Sequence, residues 1–242
     1  MSHPLYVVGD IHGQMFQLDR ALDWITQDGG ADAQIIFLGD LPDRGPDTKT
    51  VVETLLTGIE HGRNWRVIKG NHDRMFTRFV RDGITEDERI TSNIGWLNPR
   101  LGGPTTLASY GVENAETRPL PEVQAEAQSK IPESHLQFLE SLPLTLEQDG
   151  KLFVHAGIKP GIALPDQTED DLIWIREPFL LETAPHPWLV VHGHTALDMP
   201  HHYGNRVNLD GGAGYGRALY PAVFENDACW LLTEGGRLQL VP

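Results

Sequence analysis

The chain is predicted to be an α/β protein built on a mostly parallel sheet. Three observations carry this. Short aliphatic and β-branched runs alternate with amphipathic segments through the first third of the chain. Each of those runs ends in a glycine or a lysine-glycine pair followed by a polar residue. The 242 residues are also enough to bury one sizeable core.

Taken in order, Leu5-Tyr6-Val7-Val8 reads as a buried strand. Leu18, Ala21, Leu22 and Ile25 follow at helical spacing. Ile35-Ile36-Phe37-Leu38 is a second strand. Pro46 and Asp47 open a helix with Val51, Val52, Leu55, Leu56 and Ile59 on its apolar face. Arg66-Val67-Ile68 is a short third strand, completing a βαβαβ pattern. The stretch from about 74 to 141 reads as helical and loop-rich, with Gly102-Gly103-Pro104 as a break and Pro132 as a helix start. It is expected to be a cap-like insertion over the sheet edge within one domain, 1–242. Strands then dominate. Residues 144–148 and 151–154 flank Asp149-Gly150, a two-residue hairpin signal. Residues 188–191, 206–209 and 222–225 are further strands, and Asn226-Asp227 turns into a last strand from Ala228.

Composition excludes some roles. The formal net charge is −15, which argues against a nucleic-acid polymer as partner. A small phosphorylated substrate remains compatible, because bound cations would dominate its local field. The single cysteine, Cys229, sits in the apolar run Ala228-Cys229-Trp230-Leu231-Leu232 and is expected to be a buried small hydrophobe. No signal peptide and no membrane-spanning stretch is visible, so a reducing cytoplasm is the expected compartment and no membrane partner is expected.

The chemistry-bearing residues follow the strands, where open α/β sheets bind ligands. Gly9-Asp10-Ile11-His12-Gly13 follows the first, Gly39-Asp40-Leu41-Pro42-Asp43-Arg44-Gly45 the second and Gly70-Asn71-His72-Asp73 the third. Val154-His155-Ala156-Gly157 and His192-Gly193-His194-Thr195 follow later strands. Two divalent cations about 3.5–4 Å apart need a shared oxygen ligand and separate ligands on each side. A carboxylate bridges best, and Asp40 is central in the set. Carboxylate, imidazole and amide donors together suit manganese, iron or zinc better than calcium or magnesium alone.

These loops resemble those of the calcineurin-like metallophosphoesterases, and within them the phosphoprotein phosphatase branch. The Asp43-Arg44 extension and the segment Leu172-Ile173-Trp174-Ile175-Arg176 favour that branch. Small bacterial and phage serine/threonine phosphatases and symmetrical diadenosine tetraphosphatases share the pattern. The resemblance implies a β-sandwich flanked by helices, in α/β/β/α layers, with a helical cap insertion. It implies that Asp10, His12 and Asp40 bind one metal, and that Asp40, Asn71, His155 and His194 bind the other. Manganese is the first expectation, with iron, zinc, nickel or cobalt as alternatives. A metal-bridging hydroxide would attack phosphorus in line. His72 would protonate the leaving oxygen with Asp43 orienting it, and Arg44 and Arg176 would clamp the phosphoryl oxygens. Asn71 would also contact substrate, and in the loop Gly214-Tyr215-Gly216-Arg217 Tyr215 and Arg217 are either substrate contacts or part of an ordinary turn.

Two departures from the family pattern stand out. Asp73 replaces a glutamate common in relatives, and Leu209-Asp210-Gly211-Gly212 replaces a loop that often reads Asp-Thr-Gly. His192 competes with His194 as a ligand, and the pattern favours His194, leaving His192 as a strand-end histidine near the site. His3, His61, His135, His186, His201 and His202 are expected at the surface or in solvated loops. Trp96, Asn98 and Arg100 are either a substrate wall or packing of the cap.

The expected activity is hydrolysis of phosphomonoesters by a serine/threonine or dual-specificity protein phosphatase acting on a phosphorylated protein or small phosphorylated substrate. The alternative is a bis(5′-nucleosyl)-tetraphosphatase-like nucleotide hydrolase, whose extra phosphates would call for basic residues; the cap holds Arg74, Arg78, Arg81, Arg89 and Arg100, but many acids as well. A non-catalytic phospho-ligand binding module ranks last, because His72, Arg44 and Arg176 are all present.

Overall fold

Two sheets pack face to face, and each contains three adjacent parallel strands. The computed structural model describes residues 4–90, 92–226 and 228–242. His3 and Asp227, both assigned roles above, lie outside the described residues.

The first half runs β1 (Leu5–Val8), α1 (Met15–Gly29), β2 (Gln34–Phe37), α2 (Thr48–Glu60), β3 (Trp65–Val67), then α3 (Asn71–Asp82), α4 (Gly103–Ser109), α5 (Leu120–Lys130) and α6 (Glu133–Ser141). The second half runs β4 (Thr145–Gln148), β5 (Lys151–Val154), α7 (Glu169–Trp174), β6 (Leu189–His192), β7 (His201–His202), β8 (Arg206–Asn208), β9 (Ala222–Glu225), β10 (Ala228–Thr233) and β11 (Gly236–Gln239). The first sheet has the order β11-β10-β9-β1-β2-β3, the second β4-β5-β6-β8-β7.

The expectation of a mostly parallel sheet needs correction. Strands β1, β2 and β3 are parallel, joined by the crossover helices α1 and α2. Strands β9, β10 and β11 add to the same sheet antiparallel. Their connections are short turns, and a parallel crossover needs a dozen or more residues. The Asp149-Gly150 hairpin forms as expected, with φ of 50° and 71° at the two turn residues.

Side-chain alternation assigns each strand to two cores. Leu5, Val7, Ile36 and Leu38 meet Phe153, Val191, Val207 and Phe224 between the sheets. Tyr6, Val8, Ile35 and Phe37 turn outward to Leu18, Ile25, Val51 and Leu55 of α1 and α2. On the far side, Leu152, Val154 and Val190 turn outward to Leu172 and Ile173 of α7. The result is the helix/sheet/sheet/helix layering that the family resemblance implied. A one-residue slip in any of these strands would exchange its two cores.

Within 74–141, α3 packs on α5 and α6, and α2 packs on α4 and α6. Phe76, Phe79, Trp96 and Tyr110 form an aromatic group in the same core that α1 and α2 cover. Gly102-Gly103-Pro104 does not merely interrupt the chain. Gly102, with φ of 96°, turns it into the start of α4, where proline sits in the first turn. His135 is fully buried rather than exposed, held between the Tyr110 hydroxyl at 2.9 Å and Glu53 at 2.6 Å. Cys229 is buried as expected, and burial pushes its thiol up to about 12. No helix among the described residues is long and apolar enough to cross a membrane.

Candidate metal centre

The carboxyl ends of the two parallel triplets meet, and every singled-out loop leaves one of those ends. Asp10, Asp40 and Asn71 follow β1, β2 and β3. His155, His194 and Asp210 follow β5, β6 and β8. The loops are tied by backbone hydrogen bonds, among them His12 N–H to Asp40 C=O at 2.8 Å and Gly193 N–H to His155 C=O at 2.8 Å.

The turns are tight. His12, Asp40, Asp43, Arg44 and His194 all have left-handed φ, between 51° and 76°. Each costs about 1–3 kcal/mol and persists only where surrounding contacts over-determine it, as at functional sites. Two glycines make room for the carboxylates: a Cβ on Gly70 would strike Asp40 Oδ1, and one on Gly193 would strike Asp10 Oδ1.

Asp73 braces the second loop. Its carboxylate accepts the backbone N–H of Asp40 at 2.9 Å, Leu41 at 3.1 Å and Gly70 at 2.7 Å. The aspartate that stood out as a departure therefore anchors both the Asp40 turn and the start of α3.

Two groups of side chains could each hold a cation. In one, ligand atoms of His12, Asp40 and His72 lie within 4.8 Å of one another; in the other, those of Asp40, His155 and His194 do. Asp40 is the residue common to both. Asp10 stands beside the first group, its Oδ2 4.0 Å from His12 Nε2. Asn71 Oδ1 sits at the second, 2.9 Å from both His155 Nε2 and His194 Nδ1.

The imidazoles are prepared to donate lone pairs. His12 Nδ1 donates to the Pro42 carbonyl at 2.9 Å and His155 Nδ1 to the Leu38 carbonyl at 2.8 Å, which turns the Nε2 of each ring into the site. Burial, followed by Arg44, holds His12 well below its usual range. Burial, followed by His155 and Arg176, does the same for His194. Burial pushes the Asp10 carboxyl up, and Asp210 and Asp40 add to the push. Burial alone would raise Asp40 too, but His155, His72, His12 and His194 together hold it down. A buried set of crowded carboxylates and imidazoles is the donor chemistry that divalent transition metals favour.

Beside these groups stands a dyad. His72 Nδ1 donates to Asp43 Oδ2 at 2.5 Å. Asp43 is fully buried and fixed on both oxygens, by Trp96 Nε1 at 2.8 Å and by the Thr106 hydroxyl at 2.7 Å. Trp96 is thus core and second support, and Asn98 and Arg100 do not line the main cavity. Arg44 hydrogen-bonds His12 and, at 3.2 Å, His72 Nε2, and its guanidinium lies 4.8 Å over the Tyr215 ring.

The cavity over this centre has a volume of about 590 Å³ and is lined by four arginines, Arg44, Arg89, Arg176 and Arg217, together with Trp174, Tyr215 and Leu101. Sequence reasoning missed Leu101 and Thr106, which lie in a loop and a short helix without periodicity, and singled out Arg89 only as one of the cap arginines. His192 is fully buried at the end of β6, its Nδ1 donating to Gly193 C=O at 3.0 Å, and belongs to neither group. It packs edge-on to Phe179 instead, and burial pushes it down to about 3.

The family model described as "Calcineurin-like phosphoesterase" matches residues 3–219. A Bacillus thuringiensis protein named bis(5′-nucleosyl)-tetraphosphatase PrpE [asymmetrical] is 27% identical over 239 residues, covering 88% of this chain and 87% of its own. Among solved structures, one provisionally described as a diadenosine tetraphosphatase aligns with TM-score 0.66 at 22% identity, over 100% of this chain and 95% of that one. The cold-active protein-tyrosine phosphatase of a psychrophilic Shewanella aligns with TM-score 0.63 at 15% identity, over 100% and 81%. The structural likenesses concern the fold. With a model match spanning nearly the whole sequence, the chain belongs to the calcineurin-like phosphoesterases.

Proposed function

We propose that the chain is a metal-dependent hydrolase of phosphate anhydrides in dinucleoside polyphosphates, with diadenosine tetraphosphate as the type substrate. The observation that carries this reading is the arginine lining. In a chain of net charge −15, four arginines converge on one cavity beside Trp174 and Tyr215. A single phosphoryl group is served by one bidentate clamp. Further cations and aromatic faces suit further phosphates and a base. The names of the sequence relatives point the same way, whereas the phosphoprotein reading rests on loops that both activities share.

Asp10, His12 and Asp40 would hold one cation, and Asp40, Asn71, His155 and His194 the other, with Asp40 shared. The two cations, when bound, lower the pKa of water and neutralise charge on the phosphoryl oxygens. Arg44 and Arg176 would orient the scissile phosphoryl group and meet charge that grows in the transition state. With Arg44 turned from His72 Nε2 onto the phosphoryl oxygens, His72 would carry a proton on Nε2 and hand it to the leaving oxygen, while Asp43 keeps the ring turned and supports its positive charge. Trp96 and Thr106 act through Asp43.

The test is a side-by-side measurement of kcat/KM on diadenosine tetraphosphate and on a phosphopeptide panel, with Mn²⁺ present. The expected outcome is at least a tenfold preference for the dinucleotide. A preference of that size for any phosphopeptide would return the assignment to a protein phosphatase.

A further inference from the structure

We infer that Arg89 and Arg217 form a second anion subsite in the same cavity, which holds a phosphate beyond the one being cleaved. The inference takes its ligand class, a chain of linked phosphates, from the reading above.

The four cavity arginines are not equivalent. Arg44 is hydrogen-bonded to His12 and His72, and Arg176 follows α7 two residues after Trp174, which packs edge-on to His194 at 5.8 Å. Neither Arg89 nor Arg217 hydrogen-bonds to any residue of the two metal-holding groups among the described residues. Both line the same cavity as the metal-holding groups.

Arg89 lies on the loop between α3 and α4, and that loop is anchored. Asp87 is buried, with one carboxylate oxygen taken by Arg74 at 2.9 Å and Arg78 at 3.3 Å. Its other oxygen accepts the backbone N–H of Arg89 at 3.0 Å. The backbone N–H of Arg89 is therefore held, while the Asp87 carboxylate that holds it is already engaged by two other arginines. No salt bridge among the described residues takes the Arg89 guanidinium, which is exposed.

Arg217 approaches from the loop after β8. Its backbone N–H is held by Gly212 C=O at 3.2 Å. Among the described residues its guanidinium has two polar partners, the Leu197 carbonyl at 3.3 Å and Asp198 at 2.9 Å, and the Asp198 carboxylate is 94% exposed. An ion pair to so exposed a partner is weak and readily exchanged for a phosphate. The other ionisable acids on the cavity wall, Asp40 and Asp210, are buried at the metal centre. Besides the arginines at the metal-holding groups, the cavity therefore presents two cations whose backbone N–H groups are held by hydrogen bonds and whose guanidiniums have no buried carboxylate partner among the described residues. That arrangement fits one or two further phosphate groups, and it does not contribute to a bare monoester.

The subsite is tested with Arg89→Ala, Arg217→Ala and the conservative Arg89→Lys in the full chain, with Mn²⁺ in excess. Orthophosphate and inorganic tripolyphosphate are compared as competitive inhibitors of p-nitrophenyl phosphate hydrolysis, and binding of the same two ions is followed by calorimetry. The quantity read is the affinity ratio of tripolyphosphate to orthophosphate within each variant, so a general loss of activity cancels. Wild type is expected to prefer tripolyphosphate, and each alanine variant to lower that ratio about tenfold or more, the value of a charge-assisted contact. Arg89→Lys should recover part of it. Equal affinities in wild type, or ratios unchanged in both alanine variants, would overturn the subsite. Wild type that prefers tripolyphosphate yet leaves diadenosine tetraphosphate intact would instead sink the dinucleotide reading and leave the subsite standing.

Discussion

Asp40 concentrates opposing effects in one carboxylate. Burial works against its charge, while four facing histidines favour it, and His72 N–H donates to its Oδ1 at 2.9 Å. Its neighbour in function, His72, depends on a support that reaches across the chain: Trp96 and Thr106 lie 53 and 63 residues from the Asp43 they fix. His72→Asn is predicted to lower kcat about 10²–10⁴-fold on a phosphoester with a poor leaving group while metal content is kept, the usual range for a positioned general acid. Unchanged turnover on that substrate would remove His72 from the role. The loops themselves were legible in the sequence because each is a contiguous glycine-flanked cluster after an apolar run. Trp96 was legible only as an alternative, Arg89 only as one of several cap arginines, and Thr106 not at all, since long-range partners of a loop residue leave no local pattern. His135 misled for the same reason: its burial comes from Tyr110 and Glu53, 25 and 82 residues away.

At the scale of elements, the two parallel triplets explain why the site assembles where it does. Short strands end together, and their loops must cross at left-handed residues held by Asp73 and by backbone bonds. The periodicity of β1, α1, β2, α2 and β3 disclosed this half of the fold. Strand β11 escaped because all four of its residues are exposed, so no apolar alternation marks it. It is held instead by Arg237, which reaches Asp28 on α1 at 2.7 Å and Glu225 on β9 at 2.7 Å. Asp28 also accepts the Tyr6 hydroxyl at 2.7 Å. The Arg237 hydrogen bonds, then Tyr6, hold the Asp28 carboxyl below its usual range against the effect of partial burial. A depressed folded-state value means that the stabilisation is present above the unfolded carboxylate value near ~3.9 and is lost as pH falls through the folded one. Asp28→Asn is therefore predicted to cost about 1 kcal/mol at pH 7, with a gap to wild type that closes in acid. Denaturant titrations at both pH values check it, and an equal gap at pH 7 and pH 3 would show that ionisation of Asp28 is not the cause.

For the whole molecule, the strongest constraint is electrostatic. A chain of net charge −15 buries Asp10, Asp40 and Asp210 at the junction of its two sheets, and gathers arginines over them. Cations that bind only the folded state should therefore stabilise the entire molecule. At a thousandfold excess over the dissociation constant the gain is about 4 kcal/mol, or roughly 10 °C in Tm for a chain of this size. Thermal melts with and without Mn²⁺ check this, and Asp40→Asn should abolish the increment. The most direct measurement joins metal count to chemistry: elemental analysis and p-nitrophenyl phosphate hydrolysis on the same protein before chelation, after it, and after Mn²⁺ is returned. Activity should vanish with the metals and come back as two ions per chain are restored. Chelated, metal-free protein that hydrolyses the ester as fast as the untreated sample would contradict the account.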